Sequence, residues 1–154
     1  MNETESVMSL SSPLETAHPA LAALAGRTEI SREDVAALRA AFAERPFSRA
    51  DAAALFGLEA SAATPAEWTP FFVAAVTDLV VWSARPTGVI EPAAADWLMT
   101  QADAARTVNC FALLVNVLAE AHRVPAWLPA AVRARAAQWP CVREALNAHM
   151  AQAA

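Results

Sequence analysis

The sequence predicts an all-α protein, a single-domain bundle of six or seven helices built from two duplicated three-helix units. Three observations lead there. The chain has 154 residues, 56% of them hydrophobic and 18% charged, which is one domain's length and enough to bury a core without disulfides. Ten prolines stand against three glycines, and alanine is the commonest residue, so helices punctuated by proline fit better than strands joined by glycine turns. The third observation is that one pattern of caps and apolar residues occurs twice.

The elements follow in chain order. Residues 1–30 read as a flexible leader, in which Ser12 to Glu15 and Leu21 to Ala25 suggest a short helix disturbed by Pro19 and closed by Gly26. The helical domain then occupies 31–154. Ser31 is an N-cap ahead of Glu33 and Asp34, and Val35, Leu38 and Phe42 recur at helical spacing. Ser48 opens a second helix with Asp51 at its third position and Gly57 as its expected stop. Thr64-Pro65-Ala66-Glu67 has the form of a capping box, predicting a third helix to about Ala84. Trp68, Phe71, Phe72, Val76, Leu79 and Val80 surround that helix and mark it as buried and central. Pro92 sets a fourth helix with Ala94, Trp97, Leu98 and Gln101 on one face. Thr107 caps a fifth, where Val108, Phe111, Val115, Leu118 and His122 have the spacing of a packed seam. Pro125 starts a sixth, and Pro140 a C-terminal helix over 140–152.

The repeat appears at an offset of 59 residues, which carries Trp68 to Trp127, Pro70 to Pro129 and Val73 to Val132. The same offset takes Ser48 to Thr107, Leu55 to Leu114, Leu38 to Trp97 and Glu44 to Asp103. Five tryptophans and ten prolines would give Trp-x-Pro only about 0.3 times by chance. The units are therefore placed at about 31–85 and 90–144, packed about a pseudo-twofold axis.

Each unit opens as helix, short turn, Ser/Thr cap and second helix. With the stretches DVAALRAAFAERPFSRADAAALF, WTPFFVAAVTDLVVW, PTGVIEPAAADWL and LLVNVLAEAHRVPAWL, the chain resembles the tellurite-resistance TerB-like helical family, with its degenerate EF-hand-like repeats, over about residues 31 to 128. The resemblance is to uncharacterised alphaproteobacterial proteins of that type. It implies an all-helical, internally duplicated domain linked to stress responses or to membrane-associated and metal-associated complexes, and it carries over no catalytic residue. The residues do not support calcium binding. A loop ending at Asp51 offers Ala40, Phe42 and Glu44, with Arg45 where glycine is required, and one ending at Cys110 offers Met99, Gln101 and Asp103.

Composition also narrows the function. A net charge of −5 argues against a nucleic-acid partner. Residues 1–103 carry 14 acids and 6 arginines, whereas residues 104–154 carry 2 acids and 5 arginines, so the C-terminal part is available to an acidic partner. There is no Lys and no Tyr, which removes Schiff-base and phenol chemistry. Cys110 and Cys141 read as reduced core thiols. No phosphate loop, nucleophile elbow or paired-carboxylate motif is present, no cofactor is implied, and the chain is not expected to be an enzyme. Met1 to Ser12 has no signal-peptide pattern and no run is long enough to span a bilayer, so a cytoplasmic location is expected.

The expected role is a non-catalytic protein-interaction or stress-associated module with a protein partner or a second copy of itself. The alternative is a sensor for a small ligand or metal centred on Asp78, an ionisable group in an apolar helix, with Asp96 and His122 lining the same pocket.

Overall fold

Hydroxyl caps set where three of the helices begin. The computed structural model describes residues 16–153, so the expectations for Met1–Ser12 and for Ser12 to Glu15 lie outside the described residues. Its elements are α1 (Pro19–Ala22), α2 (Arg32–Glu44), α3 (Arg49–Ser61), α4 (Trp68–Thr77) running into a π-helical turn (Asp78–Trp82), α5 (Pro92–Ala105), α6 (Val108–Glu120), α7 (Leu128–Gln138) and α8 (Pro140–Ala153). Ser31 and Ser48 each form a reciprocal capping box with the acid three residues on, and the Thr107 hydroxyl accepts from the Cys110 N–H. Among the described residues no helix is long and apolar enough to cross a membrane.

Several starts and stops differ from the sequence reading. The box at Thr64 does not form, because the Glu67 carboxylate is taken by Arg32 at 2.6 and 3.0 Å. Pro65 to Glu67 instead make a turn, the Trp68 N–H donates to the Pro65 carbonyl at 3.0 Å, and α4 starts at Trp68. Pro125 is followed by the same turn, so α7 starts at Leu128. Gly57 does not stop α3, which continues to Ser61 because Leu58 and Glu59 beyond it are buried. Pro19 begins α1 rather than disturbing it. Nor is the segment before Ser31 all loose leader, since Leu21, Leu24 and Ile30 lie in the core.

The core is continuous through both units, running from Leu21 and Val35 through Trp68, Phe72 and Val81 to Leu98, Leu114, Leu128 and Val142. The units follow one another as successive layers. α3 packs on α5 and α4 on α6, while α6 in turn packs on α8, which occupies the place beside α6 that α5 has beside α3. α1 packs on α3 much as α4 and its π-helical turn pack on α6. This neighbour-to-neighbour order belongs to a short helical array rather than to the pseudo-twofold pair expected.

The hydrogen bonds recur with the layers. The Ile30 N–H donates to the Ala63 carbonyl at 2.8 Å, and Ile90 to Arg123 at 2.9 Å. Likewise Ala63 donates to Thr28 at 2.9 Å and Arg123 to Gly88 at 3.1 Å. These pairs, and the two isolated parallel bridges Glu29–Ala63 and Val89–Arg123, are related by 60 residues rather than 59. The 59-residue register holds only between α3 and α6, where Ser48 matches Thr107 and Leu55 matches Leu114. The turn before α6 has two residues against four before α3 while α5 is one residue longer than α2, a net loss of one, and His122 is the extra residue after α6 that restores the count.

The shift changes what the tryptophans mean. Trp68 is fully buried, and its structural counterpart is Leu128, whereas Trp127 precedes α7 and is 42% exposed. On α5 the same shift makes Leu98, not Trp97, the counterpart of Leu38, and the buried face is Ala95, Leu98, Met99 and Ala102.

Candidate functional site

α6 is the helix with the most to disclose, because each of its faces has a different task. Cys110, Leu113, Leu114 and Val117 point into the core. Burial pushes the Cys110 thiol up to about 11, so it stays protonated near neutral pH. Cys141, expected in the core, is exposed on α8.

A polar edge of α6 faces α4. Glu59 on α3, largely buried, accepts from the Trp68 indole at 2.8 Å and from Asn109 Nδ2 at 3.1 Å, while Asn109 Oδ1 accepts from the Thr69 hydroxyl at 2.9 Å. Two turns further along, Asn116 Nδ2 donates to the Thr77 hydroxyl at 2.9 Å and to Glu120 at 3.0 Å, and Glu120 accepts from the Trp82 indole at 2.8 Å. The π-helical turn helps aim Trp82, since the Ser83 N–H reaches back five residues to the Asp78 carbonyl. Both carboxylates are thus employed in joining helices. The sequence reading did not single out Glu59, Asn109, Asn116 or Glu120; the only signal was a polar side chain recurring along an apolar helix.

The remaining face of α6 is apolar and outward. Val108 is 45% and Val115 46% exposed, with Phe111 and Leu118 half-buried between them. The spacing is that of the expected seam, but among the described residues nothing covers Val108 and Val115 on its outer side. On α3 the residue matching Val115 is Phe56, which is buried under Trp97 of α5 with ring centroids 6.3 Å apart. Arg49, matching Val108, lies over the same Trp97 at 5.1 Å. α8 beside α6 leaves the equivalent positions open, and it exposes Leu146 and Met150 as well.

The three residues proposed for a ligand pocket are placed as follows. Asp78 is exposed at the start of the π-helical turn, on the rim of a cleft between α2 and α4, and is not enclosed among the apolar residues of its helix. Asp96 is exposed on α5, where its carbonyl accepts from the Thr100 hydroxyl at 2.8 Å. His122 is exposed beyond α6, its ring edge-on to Trp82 at 5.7 Å and directly over Gly88. Gly88 has φ +80°, and a Cβ there would collide with the imidazole, so only glycine serves. No hydrogen bond, ion pair or described cavity brings any two of the three together. Among the described residues no three His, Cys, Asp or Glu side chains converge as metal ligands.

Compared with protein-family models, with curated proteins and with solved structures, the chain matches none.

Proposed function

We propose that the protein is a non-catalytic interaction module that docks an amphipathic helix of a partner protein on the outer face of α6. The observation that carries this is the exposed stripe Val108, Phe111, Val115, Leu118, whose spacing suits a second helix laid alongside. The charge of the chain specifies the partner further. Val108, Val115, Trp127, Leu146 and Met150, five of the six large exposed apolar residues among those described, lie in the segment 104–154, which has 5 arginines against 2 acids. A partner helix with an apolar stripe and acidic flanks is complementary to that segment.

Layered helical arrays need polar outer faces at their ends. α2 meets that need with Arg32, Glu33 and Arg39, whereas the α6 and α8 end leaves Val108, Val115, Leu146 and Met150 exposed beside the polar Arg143, Glu144 and Asn147, which supports occupation of that end. In this reading the two units are copies of one ancestral unit, supported by the hydrogen bonds that recur at 60 residues. The TerB-like resemblance of 31 to 128 supports a place in a stress-linked complex, within the cytoplasm.

Affinity capture from the native extract with wild-type and Val115→Asp baits tests the proposal. The expected outcome is a protein retained by wild type and lost from the variant, carrying a helix with acidic flanks whose synthetic peptide binds the purified chain. Baits that retain the same proteins overturn it. So does a peptide that binds Val115→Asp as well as wild type.

A further inference from the structure

The cleft between α2 and α4 is separate from the α6 face. It has a volume of about 440 Å³ and is lined by Arg39, Phe42, Ala43, Phe71, Ala74, Ala75 and Asp78. That volume is within the usual size range of small-molecule sites. Its counterpart in the second unit, between α5 and α7, is bridged. Sixty residues beyond Ala43 and Ala75 stand Asp103 and Arg135, joined by two hydrogen bonds of 2.8 and 3.1 Å. The first unit has alanine at both positions, so the bridge that joins the helices of the second unit has no counterpart here.

Arg39 and Asp78 have charges to offer in that gap. Arg39 lies over the Phe71 ring at 5.6 Å, which engages one face of the guanidinium and leaves its N–H edges without a hydrogen-bond or ion-pair partner among the described residues. Asp78 lies seven residues beyond Phe71, about 10 Å along the helical axis, with its carboxylate likewise unpaired. Phe42, Phe71 and the alanines make the surface between the two charges apolar.

We infer that this cleft binds a linear zwitterion, a carboxylate and an ammonium joined by an unbranched hydrocarbon. The carboxylate accepts from Arg39, the ammonium donates to Asp78, and the hydrocarbon covers Phe42 and Phe71. Phe71, over which Arg39 lies, and Asp78 are about 10 Å apart along the helix axis, and an extended ε-aminocaproate of about 8 Å with a hydrogen bond at each end has a reach of that order. The free side chain and terminus of a C-terminal lysine have the same chemistry.

Titration of the full chain with ε-aminocaproate, followed by amide NMR, tests the inference, with caproate and hexylamine as controls that each lack one charge. Saturable shifts on α2 and α4 are expected, with each control binding about fivefold more weakly. Arg39→Gln is expected to bind ε-aminocaproate no better than hexylamine, and Asp78→Asn no better than caproate. Both residues are exposed, so the variants keep the fold. Ala43→Asp combined with Ala75→Arg installs the bridge of the second unit and is expected to abolish binding while the fold is retained. The inference is overturned if the wild type shows no saturable shifts, if the controls bind equally well, or if the bridged variant still binds. None of these outcomes bears on the α6 face, so the two proposals fail separately.

Discussion

Asp51 is fully buried, and both of its carboxylate oxygens have partners. Its two oxygens accept from the His18 N–H at 2.7 Å and from the Ser48 N–H and hydroxyl at 2.9 Å each, with Arg45 at 3.6 Å. One carboxylate therefore caps α3 and also ties down the segment that leads into α1. Asp51→Ala leaves two N–H groups without acceptors and is expected to cost about 3 kcal/mol in urea unfolding. A loss below about 1 kcal/mol, the scale of an ordinary cap, would show that the His18 contact contributes nothing. Half of this was legible, because Ser48 three residues before an acid announces a cap. The bond to His18 was not, since no local pattern marks a contact made across 33 residues.

Helix boundaries were legible where the cap is local and illegible where a distant group competes for it. Ser31, Ser48 and Thr107 cap as their spacing indicates. Thr64 does not, because Arg32 reaches Glu67 from another helix. The box at Ser31 also has a pH signature. The Asp34 carboxylate is held below its ordinary value of 3.8, chiefly by the backbone N–H of Ser31, with the Ser31 hydroxyl and Arg27 adding to it against a burial penalty. A depressed folded pKa means that the contribution is present above the ordinary value and is lost as pH falls through the lowered one. Asp34→Asn is therefore expected to lower stability by about 1 kcal/mol at neutral pH. The gap from wild type should close in thermal melts as pH drops below 3.8. A gap that stays constant down to strong acid would assign the loss to something other than the ionised cap.

Neither unit is finished by itself at the scale of the whole molecule. α3 rests on α5, α4 on α6, and Glu59 gathers Trp68 and Asn109 from the two units into one buried cluster. Heat or urea is therefore expected to unfold the chain in a single transition, with far-ultraviolet circular dichroism and tryptophan fluorescence coincident. Trp68→Ala removes a fully buried ring stacked on Phe72 at 5.9 Å and is expected to cost about 4 kcal/mol while the two signals stay coincident. Two separated transitions would show instead that the units fold independently. The sequence by itself determined that the protein is helical and where three helices are capped, because caps, prolines and apolar spacing act within a few residues. Only the tertiary structure decided that two pairs of loop hydrogen bonds recur 60 residues apart and that Trp68 but not Trp127 is buried. It also decided which apolar stripe of α6 faces outward. The 108, 111, 115, 118 stripe and the 110, 113, 114, 117 stripe are both apolar and both helical in period, and only the position of the neighbouring helices distinguishes them.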